Sequence, residues 1–193
     1  MKRIAKMQRN TSETQIYMEL NLDGEGTSKI ETGVGFFNHM LELFAFYAKV
    51  DLTIQAKGDL NVCDHHLIED VGIVLGSLIK EALQDKKGIA RYGNARIPMD
   101  EALCAVDLDI SGRNYLVFNC DFKRDSISTY SNEMGKEFFY ALASNAKMTL
   151  HINMLYGEND HHKNEAIFKA FGKALKAAIK VEGNAIPSTK GSL

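Results

Sequence analysis

Cysteine is scarce. Cys63, Cys104 and Cys120 are the only three, an odd number without the paired spacing of a zinc finger, which points to a reduced, cytoplasmic location. No apolar stretch approaches the roughly 18 residues that a membrane span needs. The basic start, Met1 to Arg9, runs into Asn10-Thr11-Ser12-Glu13 and not into an apolar segment, so no signal peptide is expected. An excess of charge is missing too. The net charge of −2 gives no field that would draw nucleic acid or an anionic membrane. With 45% hydrophobic residues in 193, the chain can fill the core of one compact domain or of two half-domains.

Histidine is also sparse, and four of the six fall in one stretch that occurs twice. Asp64-His65-His66-Leu67-Ile68-Glu69 and Asp160-His161-His162-Lys163-Asn164-Glu165 both read Asp-His-His-x-x-Glu. Both open a long amphipathic helical pattern. The first His and the Glu are four apart, so on a helix they share a face and can chelate one ion. The second His points about 100° away around the helix, towards a different ion. The pattern implies two ions, each taking ligands from both copies.

The rest of the chain repeats around these motifs. Thr14 to Leu22 alternates as a half-buried strand, Asp23-Gly24-Glu25-Gly26 is a turn, and Ser28 to Thr32 reads as the returning strand. A helix is expected over about 36 to 48, a strand over Val50, Leu52 and Ile54, and a motif helix closed by Gly88. The second half gives a strand over Leu103 to Ile110, its partner over Tyr115 to Phe122, and a helix over Met134 to Ala146. A strand over Met148 to Leu155 and a motif helix from His161 to Val181, ending at Gly183, complete it. Aligning Ala48-Lys49-Val50 with Ala146-Lys147-Met148 puts the halves in register. The expected fold is α+β: a strand–strand–helix–strand–helix half-domain twice, about 1–92 and 93–193, with sheets packed against helices in pseudo-twofold symmetry.

That alignment sets His39 opposite Glu137, and the two are interchangeable as ligands of a first-row metal. Two four-ligand sets follow by symmetry: His65, Glu69, His162 and Glu137, and His161, Glu165, His66 and His39. The halves that build each set can come from different subunits. His151, on the polar side of its strand, reads as a surface or subunit-contact residue, and Cys63 as a loop thiol. Asp64 and Asp160 read as N-caps or as outer partners of the ligand histidines. Imidazole and carboxylate without thiolate suit Mn²⁺, Fe²⁺ or Zn²⁺ in a site with open positions, not structural zinc. Arg91, Arg113, Ser188 and Lys190 follow the long helices or sit in a turn, as groups that could hold a phosphate.

The chain resembles the imidazoleglycerol-phosphate dehydratase family. The likeness rests on Phe37-Asn38-His39-Met40-Leu41, on Asp64 to Val71, on Met99-Asp100-Glu101-Ala102 and on Asp107 to Arg113. It continues through Asn159 to Glu165 with Phe168-Lys169-Ala170-Phe171, and the tail Pro187-Ser188-Thr189-Lys190-Gly191. Many relatives carry His where this chain has Glu137. The resemblance implies two Mn²⁺ per active site, sites built between subunits, and a 24-subunit shell assembled from trimers. It also implies that Arg91, Arg113, Ser188 and Lys190 hold the phosphate and that Glu13 lies at the substrate.

The implied reaction dehydrates imidazole glycerol phosphate to imidazole acetol phosphate. The proton lost has no neighbouring carbonyl, so two ions on the imidazole nitrogens would stabilise an imidazolate that expels the hydroxyl through a diazafulvene-like intermediate. Glu13 is the expected acid–base group, with Glu69 or Glu165 as rivals. Closure of the Ser188–Lys190 tail over the phosphate would exclude water. Two rival readings stand beside it: a dinuclear metal phosphoesterase, and an assembly protein that uses metal as glue.

Overall fold

A computed structural model describes residues 2–193. The first half runs β1 (Ile4–Asn10), β2 (Thr14–Asn21), β3 (Ser28–Glu31), α1 (Gly35–Ala48), β4 (Asp51–Gly58) and α2 (His65–Leu83). The second runs β5 (Tyr92–Met99), β6 (Ala102–Asp109), β7 (Tyr115–Asn119), α3 (Met134–Ala146), β10 (Thr149–Tyr156) and α4 (Asp160–Ala178). A small hairpin, β8 (Ser126–Ile127) and β9 (Tyr130–Ser131), precedes α3. The two four-stranded sheets have the same order, β1-β2-β4-β3 and β5-β6-β10-β7. Alternation drives them: Ile16, Met18 and Leu20 of β2 and Leu52 and Ile54 of β4 are buried on one face, against helices.

The α+β reading holds, and several details of it change. The segment after Gly26 does not return beside β2. β4 lies between them, and β3 pairs parallel to it, Ile30 opposite Ile54. The cause is Asp51, whose carboxylate accepts from Thr27 Oγ1 at 2.7 Å and from the N–H groups of Glu25 and Thr27, pulling the turn onto β4. β7 likewise pairs parallel to β10, not with β6, because α3 is a crossover between them. Each half also carries a leading strand, β1 or β5, that the spacing did not predict. The motif helices are shorter than expected. α2 ends at Leu83, and Gly88 instead accepts from Glu182 N at 2.7 Å and donates to Ala185 O at 2.9 Å. Residues after Ala178 take up that pairing, so α4 stops there.

The helices lie between the sheets, and each short helix packs on the long helix of the other half: α1 on α4, α2 on α3. Glycine permits both crossings. A Cβ on Gly172 would meet Phe44 O at 2.9 Å and Ala48 N at 3.0 Å, and one on Gly76 would run into Leu142 O and lie 3.0 Å from Ala146 N. These are equivalent contacts on equivalent helices. The short helices end alike as well. Lys49 and Lys147 are both left-handed (φ 58° and 54°) and donate to Ala45 O and Ala143 O.

Candidate metal centre

The α1–α4 crossing carries His39 to the start of α4. His39 Nε2 lies 3.2 Å from Glu165 Oε1, and His161 Nε2 lies 3.0 Å from the same oxygen. One ligand atom from each of the three sits within 4.8 Å of the others, a spacing that a single first-row ion fits. Glu165 is only 7% exposed, and its other oxygen takes Lys169 Nζ at 2.5 Å, which leaves Oε1 to face the histidines. The Phe36 ring meets His161 edge-on at 5.0 Å and limits its rotation. Burial works against the charge of Glu165, but Lys169, His39 and His161 outweigh it and hold the carboxyl at about 2.

The equivalent groups on α2 are looser. His65 Nε2 stands 3.7 Å from Glu69, and Glu137 occupies the first turn of α3, the helix packed on α2. The second histidine of each motif points elsewhere, as the helical geometry requires. His66 bonds Asp59 through Nδ1 at 3.1 Å, and its Nε2 lies 3.9 Å from Glu13. Asp59 raises the pKa of His66. His162 bonds Glu101 through Nδ1 at 2.6 Å. Within one chain, then, three members of one set come together without His66; of the other set only His65 and Glu69 meet, and among the described residues no contact joins Glu137 or His162 to them. His151 lies on β10 beside Tyr115, away from both.

Asp64 and Asp160 are not side-chain caps. Asp64 accepts from Ser131 N at 2.7 Å and Ser131 Oγ at 2.8 Å; Asp160 accepts from Lys123 N and Arg124 N and pairs with Lys163. Both motif starts are therefore tied to the one segment between β7 and α3. Asn159 caps α4 instead, accepting from His161 N at 2.9 Å. Asp59 and Glu101, which do hold ligand-type histidines, carry no spacing signal: they lie 7 and 61 residues from their partners.

The phosphate candidates gather at the far end of α4. Arg91 donates to Ala178 O through its backbone, clasps Asp109 with Nε at 2.7 Å and Nη2 at 3.1 Å, and gives a fourth bond, from Nη1, to Pro187 O at 2.9 Å. The tail bearing Ser188 and Lys190 is thus drawn to Arg91. It ends against the turn of Arg113, where a Cβ on Gly112 would lie 2.9 Å from the carbonyl carbon of Leu193.

Acid should expose the charge balance of the metal-free chain. Asn159 N–H and His162 hold Glu101 at about 2, as Lys169, His39 and His161 hold Glu165, both against an ordinary 4.5. A depressed carboxyl stabilises the fold fully above 4.5, and that stability is lost as pH falls through about 2. Thermal unfolding of metal-free protein should shift downward across that window. A melting temperature that stays flat there would show that these carboxylates are not held by the fold.

The profile of the imidazoleglycerol-phosphate dehydratase family matches residues 32–175. The chain is 57% identical over 192 residues to the imidazoleglycerol-phosphate dehydratase of Clostridium botulinum, covering 99% of this chain and 98% of that one. It is 56% identical over 191 residues to that of Methanosarcina mazei, covering 99% and 100%. The crystal structure of the Staphylococcus aureus enzyme superposes with a TM-score of 0.84 at 46% identity, over 92% of this chain and 99% of that one. The Pyrococcus furiosus enzyme, solved in complex with (S)-C348, gives 0.84 at 41% identity, over 97% and 100%.

Proposed function

Because the chain belongs to the imidazoleglycerol-phosphate dehydratase family, we propose that it converts D-erythro-imidazole-glycerol phosphate to imidazole acetol phosphate and water with two Mn²⁺ per active site. It is a carbon–oxygen lyase of histidine biosynthesis. The assembly is a cytoplasmic shell of 24 subunits built from trimers, and among the described residues no helix is long and apolar enough to cross a membrane.

The His39–His161–Glu165 cluster carries this reading. Its donor set, two imidazoles and a carboxylate without thiolate, fits Mn²⁺. His65, Glu69 and Glu137 would hold the second ion, with His66 and His162 as the crossing ligands. When bound, the ions would supply Lewis acidity to the substrate's imidazole. The protein does the remaining work. Arg91, already oriented by Asp109, would hold the phosphate with Arg113, Ser188 and Lys190. Glu165, pinned near 2 by Lys169 and the histidines, is a poor proton acceptor at neutral pH, which favours Glu13, or Glu69 after it, for acid–base duty. Glu13 is half exposed and stands beside His66.

The length of α4 supports a site shared between subunits. Its motif opens the helix and the Arg91 group closes it. At about 1.5 Å per residue the two ends are roughly 25 Å apart, too far for one small substrate to touch both. A second copy must bring phosphate handles, and the crossing histidines, to each metal centre.

Metal-stripped protein should form no imidazole acetol phosphate and should regain activity on addition of Mn²⁺, at the mass of a large assembly. It should release no inorganic phosphate. Metal uptake without dehydration would sink the activity, and phosphate release would support a phosphoesterase instead.

A further inference from the structure

Each motif ends in a second histidine whose Nδ1 is already taken. His66 Nδ1 lies 3.1 and 3.2 Å from the two oxygens of Asp59, and His162 Nδ1 lies 2.6 Å from Glu101 Oε2. Neither Nε2 has a hydrogen-bond partner among the described residues: the carboxylates facing them stand at 3.9 Å (Glu13) and 3.6 Å (Asp100). The two carboxylates come from unrelated places, Asp59 from the loop after β4 and Glu101 from the β5–β6 turn, yet they meet the same atom of the same motif position. The backbone of Asp59 and the side chain of Glu101 are held independently of the histidine. Asp59 donates its N–H to Glu13 O at 3.1 Å and its carbonyl accepts from Val62 N at 2.7 Å. Glu101 Oε1 accepts from the N–H groups of Glu158 and Asn159 at 3.1 and 2.7 Å.

A ring that donates Nδ1–H to a carboxylate keeps its lone pair on Nε2 and cannot flip. We infer that Asp59 and Glu101 are positioning residues, which lock His66 and His162 as Nε2 ligands aimed outward from the chain before any ion or second subunit arrives. The inference rests on the reading of His66 and His162 as metal ligands. Its consequence is that the two crossing ligands are preset although the groups they complete belong to another copy. An outward histidine free to rotate would lose entropy on every closure of the site.

Asp59 gives the cleaner test, because its side chain bonds only His66 among the described residues, whereas Glu101 also holds the 158–159 backbone. Mn²⁺ affinity would be measured on the assembled protein for wild type, Asp59→Ala, Asp59→Asn, His66→Ala and the double variant, with assembly mass and melting temperature beside it. Asp59→Ala should weaken Mn²⁺ binding about 10- to 100-fold, the range for partners that orient metal-bound imidazole. Asp59→Asn, whose amide oxygen can still accept from Nδ1–H, should recover part of that loss. In the His66→Ala background, Asp59→Ala should change nothing further, since its effect passes through the ring. If His66→Ala weakens Mn²⁺ binding and Asp59→Ala does not, or if the two effects add in full, the positioning role is overturned. If His66→Ala itself leaves Mn²⁺ binding intact, the ligand assignment fails first, and the inference with it.

Discussion

Glu165→Gln is expected to leave the chain folded, strip Mn²⁺ from the His39–His161–Glu165 centre, and lower dehydration by at least about 100-fold, beyond what partners outside the ligand set contribute. The reason lies in how the carboxylate is shared. Oε1 faces two imidazoles at 3.0 and 3.2 Å, and Oε2 holds the Lys169 ammonium at 2.5 Å. An amide supplies a neutral and weaker ligand atom, and it leaves Lys169 uncompensated beside the place where the proposed Mn²⁺ would bind. Charge repulsion is then added to the loss of a ligand. Metal content per chain and the rate of imidazole acetol phosphate formation should fall together. A variant with full metal content and full rate would remove Glu165 from the centre.

The second large effect is steric. Gly172→Ala and Gly76→Ala each push a methyl group into the backbone of the crossing helix, at Phe44 O and at Leu142 O. The neighbour is main chain on a packed helix and has nowhere to yield. Overpacking of this kind costs about 1–3 kcal/mol. For a chain of this size that corresponds to a fall of about 2–12 °C in melting temperature. Gly183→Ala, with nothing within 4 Å of the added carbon, serves as the neutral control. Gly172→Ala should also separate His39 from His161 and Glu165 and weaken Mn²⁺ uptake at that centre. Unchanged melting and metal uptake in both variants would mean that the crossings are looser than their contacts indicate.

Local information was legible in the sequence, and pairing was not. Asp-His-His-x-x-Glu is a helical spacing, so α2 and α4, and the shared face of His161 and Glu165, could be read directly. The alignment of Lys49 with Lys147 has its physical counterpart in two left-handed helix ends, and His39 and Glu137 stand the same number of residues before them. β1 and β5 left no trace because they are edge strands: only Ala5 and Gly93 are buried in them, and β5 carries Pro98, which an edge tolerates. The parallel pairings of β3 and β7 depend on a strand that arrives a whole helix later, which alternation cannot reveal. Asp59 and Glu101 were missed for the same reason. A carboxylate finds a histidine through the fold, while Asp64 and Asp160, adjacent in sequence, spend their charge on the segment before α3.

The exchange of helices between the halves has a further meaning. α1 packs on α4 and α2 on α3, with the same glycine-to-carbonyl contact in both places. That is the form of an isologous dimer interface, in which one patch meets its own copy about a twofold axis, here drawn into a single polypeptide. The boundary near residue 92 is therefore a seam in the sequence and not in the structure. The two short helices nonetheless differ at the equivalent position, with an imidazole at residue 39 and a carboxylate at residue 137.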